Sequence, residues 1–331
     1  MKGNILKQFQ KLSASEQLKL LKLLESQIGN EAKILSYRTP TENPNCFYCK
    51  SENVIKFGKY SKENKTRYRC KDCLKTFCDL TGTSVYNVKK KHLWVSFAKM
   101  TLENRTIRDT AKRLHLSTAT VFSWRHRLLD SLDEIFTREF KGIVETDEVY
   151  LNFNQKGRRK QFVRKEKKKR GISRQKVAVM VTADRYKTLD MRNTKLGRIN
   201  VADLERVIDK KRLNDDNIIC SDMHPTIERF VKQLKLKHVQ LKSSARHYSK
   251  EKIYHVNKVN SLASELKRWL HGNFKNVSTK YLQNYLSLFK VQQILSGDEK
   301  LEGLLKYSLK DDTTYSRRKR AEEKYQEFLK Y

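Results

Sequence analysis

The chain has 331 residues, more than one small domain needs, so we expect a core of ordinary domain size with one or two small modules attached. Its 72 lysines and arginines outnumber its 37 acidic residues and give a formal charge of +35, which implies a polyanionic partner and makes nucleic acid the first candidate. No stretch is apolar enough to span a bilayer, which excludes an integral membrane protein and favours a cytoplasmic, nucleoid-associated one. A ribosomal protein, or one that binds anionic membrane surfaces, would share this charge, so composition alone does not indicate an enzyme.

The first forty residues combine one helical pattern with a linker. Between Ser13 and Ile28 the apolar residues recur every three or four positions, and Gly29 provides a stop. Ser13 and Glu16 have the spacing of a capping box. For residues 1–40 we therefore predict a small amphipathic helix that packs through its leucines, followed by a linker.

Six cysteines include two CxxC pairs, Cys46 with Cys49 and Cys70 with Cys73, separated by twenty residues. This usage suits a reducing compartment and a metal better than a disulfide framework. Zinc takes four soft ligands in a tetrahedron, and each CxxC turn supplies two of them. Two short strand patterns lie between the pairs. We therefore predict a small zinc ribbon over residues 41–82, with one structural Zn²⁺ whose closed ligand set leaves no position for catalysis.

Two helical patterns, at residues 106–114 and 118–129, are joined by a short turn in which Ser117 can cap the second helix. Their apolar positions fit the interior of a helix-turn-helix, and we predict such an all-α module over residues 90–138. An ordinary helical hairpin has the same periodicity, but the positive charge and the adjacent zinc module favour DNA binding. The second helix would offer these side chains to DNA: Thr118, Thr120, Ser123, Arg125 and Arg127.

Alternating apolar and acidic residues open a third region after Gly142. Asp147 and Asp222 fall on two of its predicted strands, whereas Asn260 and Lys267 share one face of its last predicted helix. Carboxylates on neighbouring strands, facing a polar helix residue, suit a two-metal site for phosphoryl transfer. The patterns predict strands near residues 143–150, 176–182, 188–194, 218–222 and 238–241, and helices near residues 201–211, 225–234 and 257–270.

Each of these residues also has an ordinary structural interpretation. An aspartate at a strand end often caps a turn, and Asn260 with Lys267 could form a solvated helix face. His224 and His255 fit hydrogen-bonding roles better than metal ligation, because the neighbouring acids suit a hard, oxygen-liganded ion. Glu265 lies well around the helix from Asn260 and is a poor substitute for it as a ligand.

A run of charge between Lys156 and Lys176 holds twelve basic residues and one acid. Such a run can grip the DNA backbone beside an active site, and it can equally remain a solvated loop. Under the first interpretation, the side chains expected to touch phosphates are Arg158, Arg159, Lys168 and Arg170.

Three blocks of this sequence resemble the motifs of ISXO-like insertion-sequence transposases. They are Glu145-Thr-Asp147-Glu148-Val-Tyr150, Ser221-Asp222-Met-His224 and the stretch from His255 to Trp269. The segment from Val277 to Leu286 also resembles the block that follows them in that family. The blocks occur in order behind the zinc-ribbon and helix-turn-helix patterns, so the resemblance covers roughly residues 40–295.

The resemblance implies an α/β catalytic core of RNase H-like type over residues 139–295, followed by a basic helical C-terminal tail at 296–331. By motif position, it implies that Asp147, Asp222 and Asn260 hold Mg²⁺ or Mn²⁺ and that Lys267 acts beside them. It further implies a DDE-type enzyme that cuts and joins double-stranded DNA at transposon ends, as a homo-oligomer assembled on that DNA. Asn260 stands where a strict DDE triad has its third acid, and an amide oxygen holds a divalent ion less strongly than a carboxylate does.

Three other functions fit parts of the pattern. A zinc-ribbon and helix-turn-helix regulator would bind DNA without cutting it, and a nuclease would cut without joining. A decayed copy of a transposase would keep the motifs without the activity. Metal-dependent nicking separates the regulator from an enzyme, and strand transfer from pre-cleaved ends separates the nuclease from a transposase.

Overall fold

The structure is a computed structural model that describes residues 8–21, 23–24, 44–60, 65–132, 138–157, 172–173, 175–241, 249–251, 253–275, 277–310 and 317–330. The chain divides into two compact units, which are described in turn. The first comprises Met1–Glu103, Ile107–Val121 and Leu301–Tyr315, and the second comprises Asn104–Thr106, Phe122–Lys300 and Ser316–Tyr331. Within the described ranges, no helix is both long and apolar enough to cross a membrane.

The N-terminal helix begins at the predicted capping box. The backbone N–H of Ser13 donates to Glu16 Oε2 at 2.9 Å, and the N–H of Glu16 donates to Ser13 Oγ at 3.4 Å. Residues 14–21 are helical, as the periodicity predicts. The leucine stripe, however, is exposed: Leu18 is 54% and Leu21 is 45% accessible. The predicted packing through these leucines is therefore not found in the part of the chain that the structure describes.

A three-stranded antiparallel sheet follows, with strands β1 (Val54–Tyr60), β2 (Lys65–Cys70) and β3 (Thr76–Cys78) in that order. Cross-strand packing of Tyr68 on Phe77, with ring centroids 5.6 Å apart, gives it a small core together with two of the cysteines. The first two strands are those predicted between the cysteine pairs. The sheet therefore brings the two CxxC turns to the same end, since Val54 pairs with Cys70.

Three helices follow the small sheet: α1 (Trp94–Leu102), α2 (Ile107–Arg113) and α3 (Thr118–Asp130). The turn between α2 and α3 closes with the N–H of Leu116 donating to Ala111 O at 3.0 Å. Ser117 Oγ accepts the N–H of Thr120 at 3.1 Å and so caps α3, as predicted. Of the six apolar residues predicted for the interior of this helix pair, Ala111, Leu114, Val121 and Trp124 are buried. The other two, Ile107 and Leu116, are partly exposed.

The second unit is built on one mixed sheet of five strands, which correspond to the five predicted ones. They are β4 (Ile143–Asn152), β5 (Lys176–Asp184), β6 (Leu189–Leu196), β7 (Ile218–Asp222) and β8 (Lys237–Leu241). The order across the sheet is β6-β5-β4-β7-β8. β4, β5 and β6 are antiparallel, whereas β7 and β8 run parallel to β4. This is the arrangement of an RNase H-like sheet, as the resemblance implies.

Helices cover both faces of this sheet. One face packs on α4 (Val201–Val207) and α5 (Pro225–Leu234), through residues such as Leu204 and Phe230. The other face packs on α6 (Asn257–Phe274), α7 (Leu282–Ile294) and α9 (Arg317–Lys330), through residues such as Leu262, Leu286 and Phe328. The short strands β9 (Ser249–Lys250) and β10 (Tyr254–His255) pair with each other. Helix α8 (Glu299–Ser308) falls mostly within the first unit.

Two helical expectations need correction. The helix predicted at residues 201–211 ends at Val207, because Ile208 is extended, and a separate 3₁₀ turn follows at Lys210–Arg212. The helix over Asn257–Phe274 is not the last one: α7 and α9 bury their apolar residues against the same sheet face. The C-terminal helix therefore packs into the core of its unit.

Candidate metal centre and active site

Asp147 and Asp222 are brought together by the register of two parallel strands. The last paired residues of β4 and β7 are Glu145 and Cys220, and each aspartate lies two positions further along its strand. β7 ends at Asp222, while β4 continues to pair with β5. Two carboxylates that are far apart in the chain therefore meet at the carboxyl end of β7, where ligands of open α/β sheets commonly bind.

Glu148 joins them as a third acid. One carboxylate oxygen from each of Asp147, Glu148 and Asp222 lies within 4.8 Å of the other two, and all three residues are partly buried. Sequence reasoning missed Glu148 as a site residue, because consecutive residues of a strand point to opposite faces. The three acids form the group of carboxylates in the described residues that could hold a hard metal ion.

The electrostatics of this cluster favour a bound cation. Burial, together with the charges of Glu148 and Asp222, raises the pKa of Asp147 to about 7, and Lys267 opposes the rise. Burial and Asp222 raise the pKa of Glu148 to about 7, and Arg198 opposes it. Glu148 Oε2 is also buried without a hydrogen-bond partner among the described residues. The acid cluster thus fits the divalent ion that the family resemblance implies.

Glu145 ties the strand that carries Asp147 to the helix that carries Asn260. Its side chain is fully buried, and its Oε2 accepts the backbone N–H of Lys258 at 2.8 Å and of Val259 at 3.4 Å. Its other oxygen lies 3.1 Å from Nδ1 of His255. The first turn of α6 lacks a side-chain cap of its own, so Glu145 takes that role across the fold.

Helix α6 buries Val259, Leu262 and Leu266 and leaves Asn260 and Lys267 exposed on another face. Lys267 lies close enough to Asp147 to lower its pKa, so this face of the helix is on the side of the acids. Glu265 is occupied elsewhere, since Gln293 Nε2 donates to its Oε1 at 2.7 Å. The structure thus places Lys267 near Asp147, with Asn260 two helical turns before it.

His224 lies between Asp222 and helix α5. Its backbone N–H donates to Asp222 Oδ1 at 3.2 Å, and its Nδ1 accepts the N–H of Thr226 at 3.3 Å, which caps α5. Nε2 lies 3.5 Å from Glu148 Oε1. Burial lowers the pKa of His224, so the ring is neutral near neutral pH. His224 is therefore a neighbour of the acids with one nitrogen already engaged by the backbone.

The four predicted zinc ligands also meet. Sγ of Cys46 is 3.5 Å from Sγ of Cys73, Sγ of Cys49 is 3.5 Å from Sγ of Cys70, and all four sulfurs lie within 4.8 Å of one another. Zn–S bonds of about 2.3 Å in a tetrahedron require sulfurs about 3.8 Å apart. All four are free thiols rather than disulfides. The cluster therefore fits the predicted structural zinc.

The two CxxC turns are built alike. The N–H of Cys46 donates to Ser51 O at 2.7 Å, and the N–H of Cys70 donates to Lys75 O at 3.1 Å, the same spacing in each case. The residue after each pair, Lys50 or Leu74, has a positive φ near 60°. Each turn thus uses the same short-range backbone hydrogen bond and the same left-handed residue after its second cysteine.

The residues predicted to contact DNA have different environments. Thr118 is exposed, and Thr120, Ser123 and Arg127 are partly exposed. Arg125 requires a correction: it is 1% exposed, and its guanidinium donates to the carbonyl of Arg105 at 2.7 Å. A side chain used in this way cannot reach a DNA groove. The expected phosphate contacts from the basic run lie outside the described residues: Arg158, Arg159, Lys168 and Arg170.

Comparisons with known proteins point to transposable elements. Residues 139–291 match the model of a family described as the ISXO2-like transposase domain. A protein of Halobacterium salinarum, described as an uncharacterized protein in transposable element ISH50, is 28% identical over 287 residues. That match covers 80% of this chain and 91% of the relative.

Two solved structures of Mos1 were also found by structural comparison. The pre-cleavage transpososome is 14% identical, with a TM-score of 0.22 over 65% of this chain and 79% of that one. The strand transfer complex is 15% identical, with a TM-score of 0.22 over 65% of this chain and 78% of that one. Scores this low do not indicate a shared fold, and nothing about this chain follows from them.

The family match spans both aspartate-bearing strands and the helix that carries Asn260 and Lys267. It was found independently of the sheet order and of the acid cluster, which agree with it. Residues 139–291 of this chain therefore resemble the ISXO2-like transposase domain.

Proposed function

We propose that this chain binds the ends of an insertion sequence, cuts double-stranded DNA there and joins the freed ends to a target. The observation that carries the proposal is the meeting of Asp147 and Asp222 across β4 and β7, within a domain of a transposase family. Carboxylates so placed suit the hard divalent ions that serve phosphoryl transfer.

Asn260 is proposed as a third metal ligand and Lys267 as a contact to DNA phosphate. Lys267 lies close enough to Asp147 to affect its pKa, and Asn260 occurs seven residues earlier, on the same face of α6. Glu265, the nearest acid on this helix, is hydrogen-bonded to Gln293, which leaves Asn260 as the better candidate.

The chain's own residues would prepare the site before DNA arrives. Asp147 and Asp222 would hold Mg²⁺ or Mn²⁺, and Lys267 would hold a phosphate through a charge-assisted hydrogen bond. The bound ions would supply Lewis acids that activate the attacking hydroxyl and neutralise the departing oxygen. Because Glu145 ties α6 to β4, the groups on the strand and the helix are positioned relative to each other.

Recognition of the ends is proposed to lie in the helix-turn-helix. The start of a second helix in such a pair reads base edges in the major groove, and Thr118, Thr120 and Ser123 are accessible there. Arg127 is partly exposed in the last turn of the same helix. The formal charge of +35, to which Arg158, Arg159, Lys168 and Arg170 contribute, supplies attraction to phosphates that is independent of sequence. Joining two ends requires more than one active site, so the protein is proposed to act as a homo-oligomer on DNA.

Cleavage of a duplex that spans the junction between element and flanking DNA tests the catalytic proposal. With Mg²⁺ present the parent chain should nick it, and Asp147→Asn or Asp222→Asn should lower the rate at least about a hundredfold while leaving DNA binding intact. Asp215→Asn is the matched control, because it makes the same change at an exposed position of the same unit. A parent chain that binds this duplex and never cuts it would favour a regulator instead.

Two further arms of this experiment separate joining and recognition. Pre-cleaved ends offered together with a supercoiled plasmid should be joined to it, and cutting without joining would indicate a nuclease. Binding should fall steeply with salt, because phosphate contacts release counterions. Arg127→Ala should reduce the preference for element ends over random DNA. If this variant binds both like the parent, α3 is not the recognition helix.

A further inference from the structure

Glu148 is not among the ligands that the family resemblance implies, yet its surroundings are those of a ligand. Its side chain is only 8% exposed, although its carboxylate lies within 4.8 Å of Asp147 and Asp222. Oε2 is buried and lacks a hydrogen-bond partner among the residues that the structure describes. A buried charged oxygen is costly unless a donor or a cation completes its environment.

The other oxygen of Glu148 faces His224. Because Nδ1 of His224 accepts the N–H of Thr226, the hydrogen of the neutral ring belongs on Nε2. Nε2 lies 3.5 Å from Glu148 Oε1, and the His224 side chain is 10% exposed. The ring thus faces Oε1, but Nε2 and Glu148 Oε2 are both buried without a hydrogen-bond partner among the described residues.

The nearby positive charges do not replace a cation at the cluster. Arg198 lowers the pKa of Glu148, and Lys267 lowers the pKa of Asp147, but both basic residues are exposed. Neither gives Glu148 Oε2 a hydrogen bond in the described part of the chain. A divalent ion within reach of all three carboxylates would offset their negative charge. The same ion would give Glu148 Oε2 the partner that it lacks.

We propose that Glu148 is itself a ligand of the divalent cation, alongside Asp147 and Asp222, and that the N–H of His224 orients its carboxylate. The inference rests on the proposed function, because it concerns the same ion. Three carboxylates of the protein then hold one ion without help from Asn260 or DNA. His224 is a positioning residue, of the kind whose loss lowers metal affinity by about ten- to a hundredfold.

Binding of Mn²⁺ to the full chain in the absence of DNA tests the inference. The binding is measured through the paramagnetic resonance signal of the free ion. The parent chain should bind Mn²⁺ saturably, Glu148→Gln should weaken the affinity at least about tenfold, and His224→Asn should weaken it by about tenfold. Asparagine at the start of a helix still accepts the N–H of Thr226, so His224→Asn removes only the Nε2–H group. Glu228→Gln is the matched control, an exposed acid of α5 that should bind like the parent. Chelators are left out, because they would also take zinc from the ribbon.

A thermal melt in the same buffer separates folding from metal binding. Without Mn²⁺, Glu148→Gln should melt at or above the parent temperature, because it removes repulsion among the acids, and it should gain less from added Mn²⁺. His224→Asn leaves the acid in place, so it tests the inference even where Glu148→Gln folds poorly.

Parental Mn²⁺ affinity in either Glu148→Gln or His224→Asn would overturn the corresponding role. A parent chain without saturable binding at millimolar Mn²⁺ would overturn the inference as a whole. The proposed function fails on a different result, the absence of metal-dependent cutting by the parent chain.

Discussion

The four-cysteine cluster and the three-acid cluster both fit a metal ion, but they are assembled in opposite ways. Each cysteine pair comes from one short turn, and in both turns the N–H of the first cysteine donates to the carbonyl five residues later. The acids come from two strands far apart in the chain and include a buried oxygen without a partner among the described residues. Closed sites of soft ligands stabilise a fold, whereas clustered carboxylates cost stability until a cation or substrate arrives. We therefore expect the first cluster to serve the fold and the second to serve the proposed chemistry.

The largest loss of structure is expected in the double variant that combines Cys70→Ser with Cys73→Ser. The ribbon would lose half of its ligands, and the small apolar cluster around Tyr68 and Phe77 cannot keep it folded without zinc. Elemental analysis should fall from one zinc per chain to none, and the amides of β1–β3 should lose their protection from hydrogen exchange. The five-stranded sheet should keep its protection.

Cys78→Ser is the matched control for this double variant. Cys78 is a buried cysteine outside the pairs, so its replacement should leave one zinc per chain. Unchanged zinc content in the double variant would show that the four cysteines do not form the site.

Smaller changes in stability, of opposite sign, are expected for substitutions of two acids in β4. Glu145→Ala should lower the free energy of unfolding by about 1–3 kcal/mol, because it leaves the backbone N–H groups in the first turn of α6 without their acceptor. Glu145→Gln keeps an acceptor oxygen and should cost less. Asp147→Asn should instead raise stability without divalent ions: at pH 8, above its pKa of about 7, the folded chain must hold this acid charged.

Urea unfolding at pH 8 without divalent ions measures all three variants of this strand. If Glu145 serves the fold and Asp147 serves the site, the free energy of unfolding should fall for Glu145→Ala and rise for Asp147→Asn. Destabilisation by Asp147→Asn similar to that by Glu145→Ala would mean that both acids serve the fold.

The smallest effect is expected from Lys267→Ala. Loss of one charge-assisted contact to phosphate should weaken DNA binding about tenfold, or ~1.4 kcal/mol. Mn²⁺ affinity measured without DNA should stay the same or rise slightly, because a positive charge beside the ion is removed. Arg268→Ala, at the exposed neighbouring position of α6, is the control. Lower Mn²⁺ affinity in Lys267→Ala would place this lysine among the groups that organise the metal site.

Short-range patterns account for what could be predicted from the sequence. The CxxC turns and the five strands of the second unit are encoded in windows of a few residues, and the structure contains them close to the predicted positions. Asp147 and Asp222 were also found, because a strand-borne acid is visible in an alternating pattern. The role of Glu145 was not predicted, because it depends on a backbone N–H that lies 113 positions later in the chain. Glu148 was missed because strand periodicity places it away from Asp147, although the reach of its side chain brings the two carboxylates together.

Two features of the helices could not be predicted from short-range patterns either. Arg125 was assigned to the DNA-facing side of α3 from its charge, but its long side chain reaches back to the carbonyl of Arg105 and is buried. Helix α7 was not predicted, because Leu286 to Val291 are buried without interruption and leave no helical period to read. Contacts between distant elements decided these cases.

The parallel pairing of β4 with β7 has a consequence for how the protein is made. During synthesis from the N-terminus, all four cysteines are available once the second pair has emerged, and a nascent chain can then take up zinc. The acid cluster cannot exist until β7 has emerged, and its anchor to Glu145 also needs the start of α6. At ribosomal rates of 5–20 residues per second, this delay amounts to roughly 10–40 seconds. A ribosome-bound chain therefore passes through a period in which its ribbon can fold but its acid cluster is not yet built.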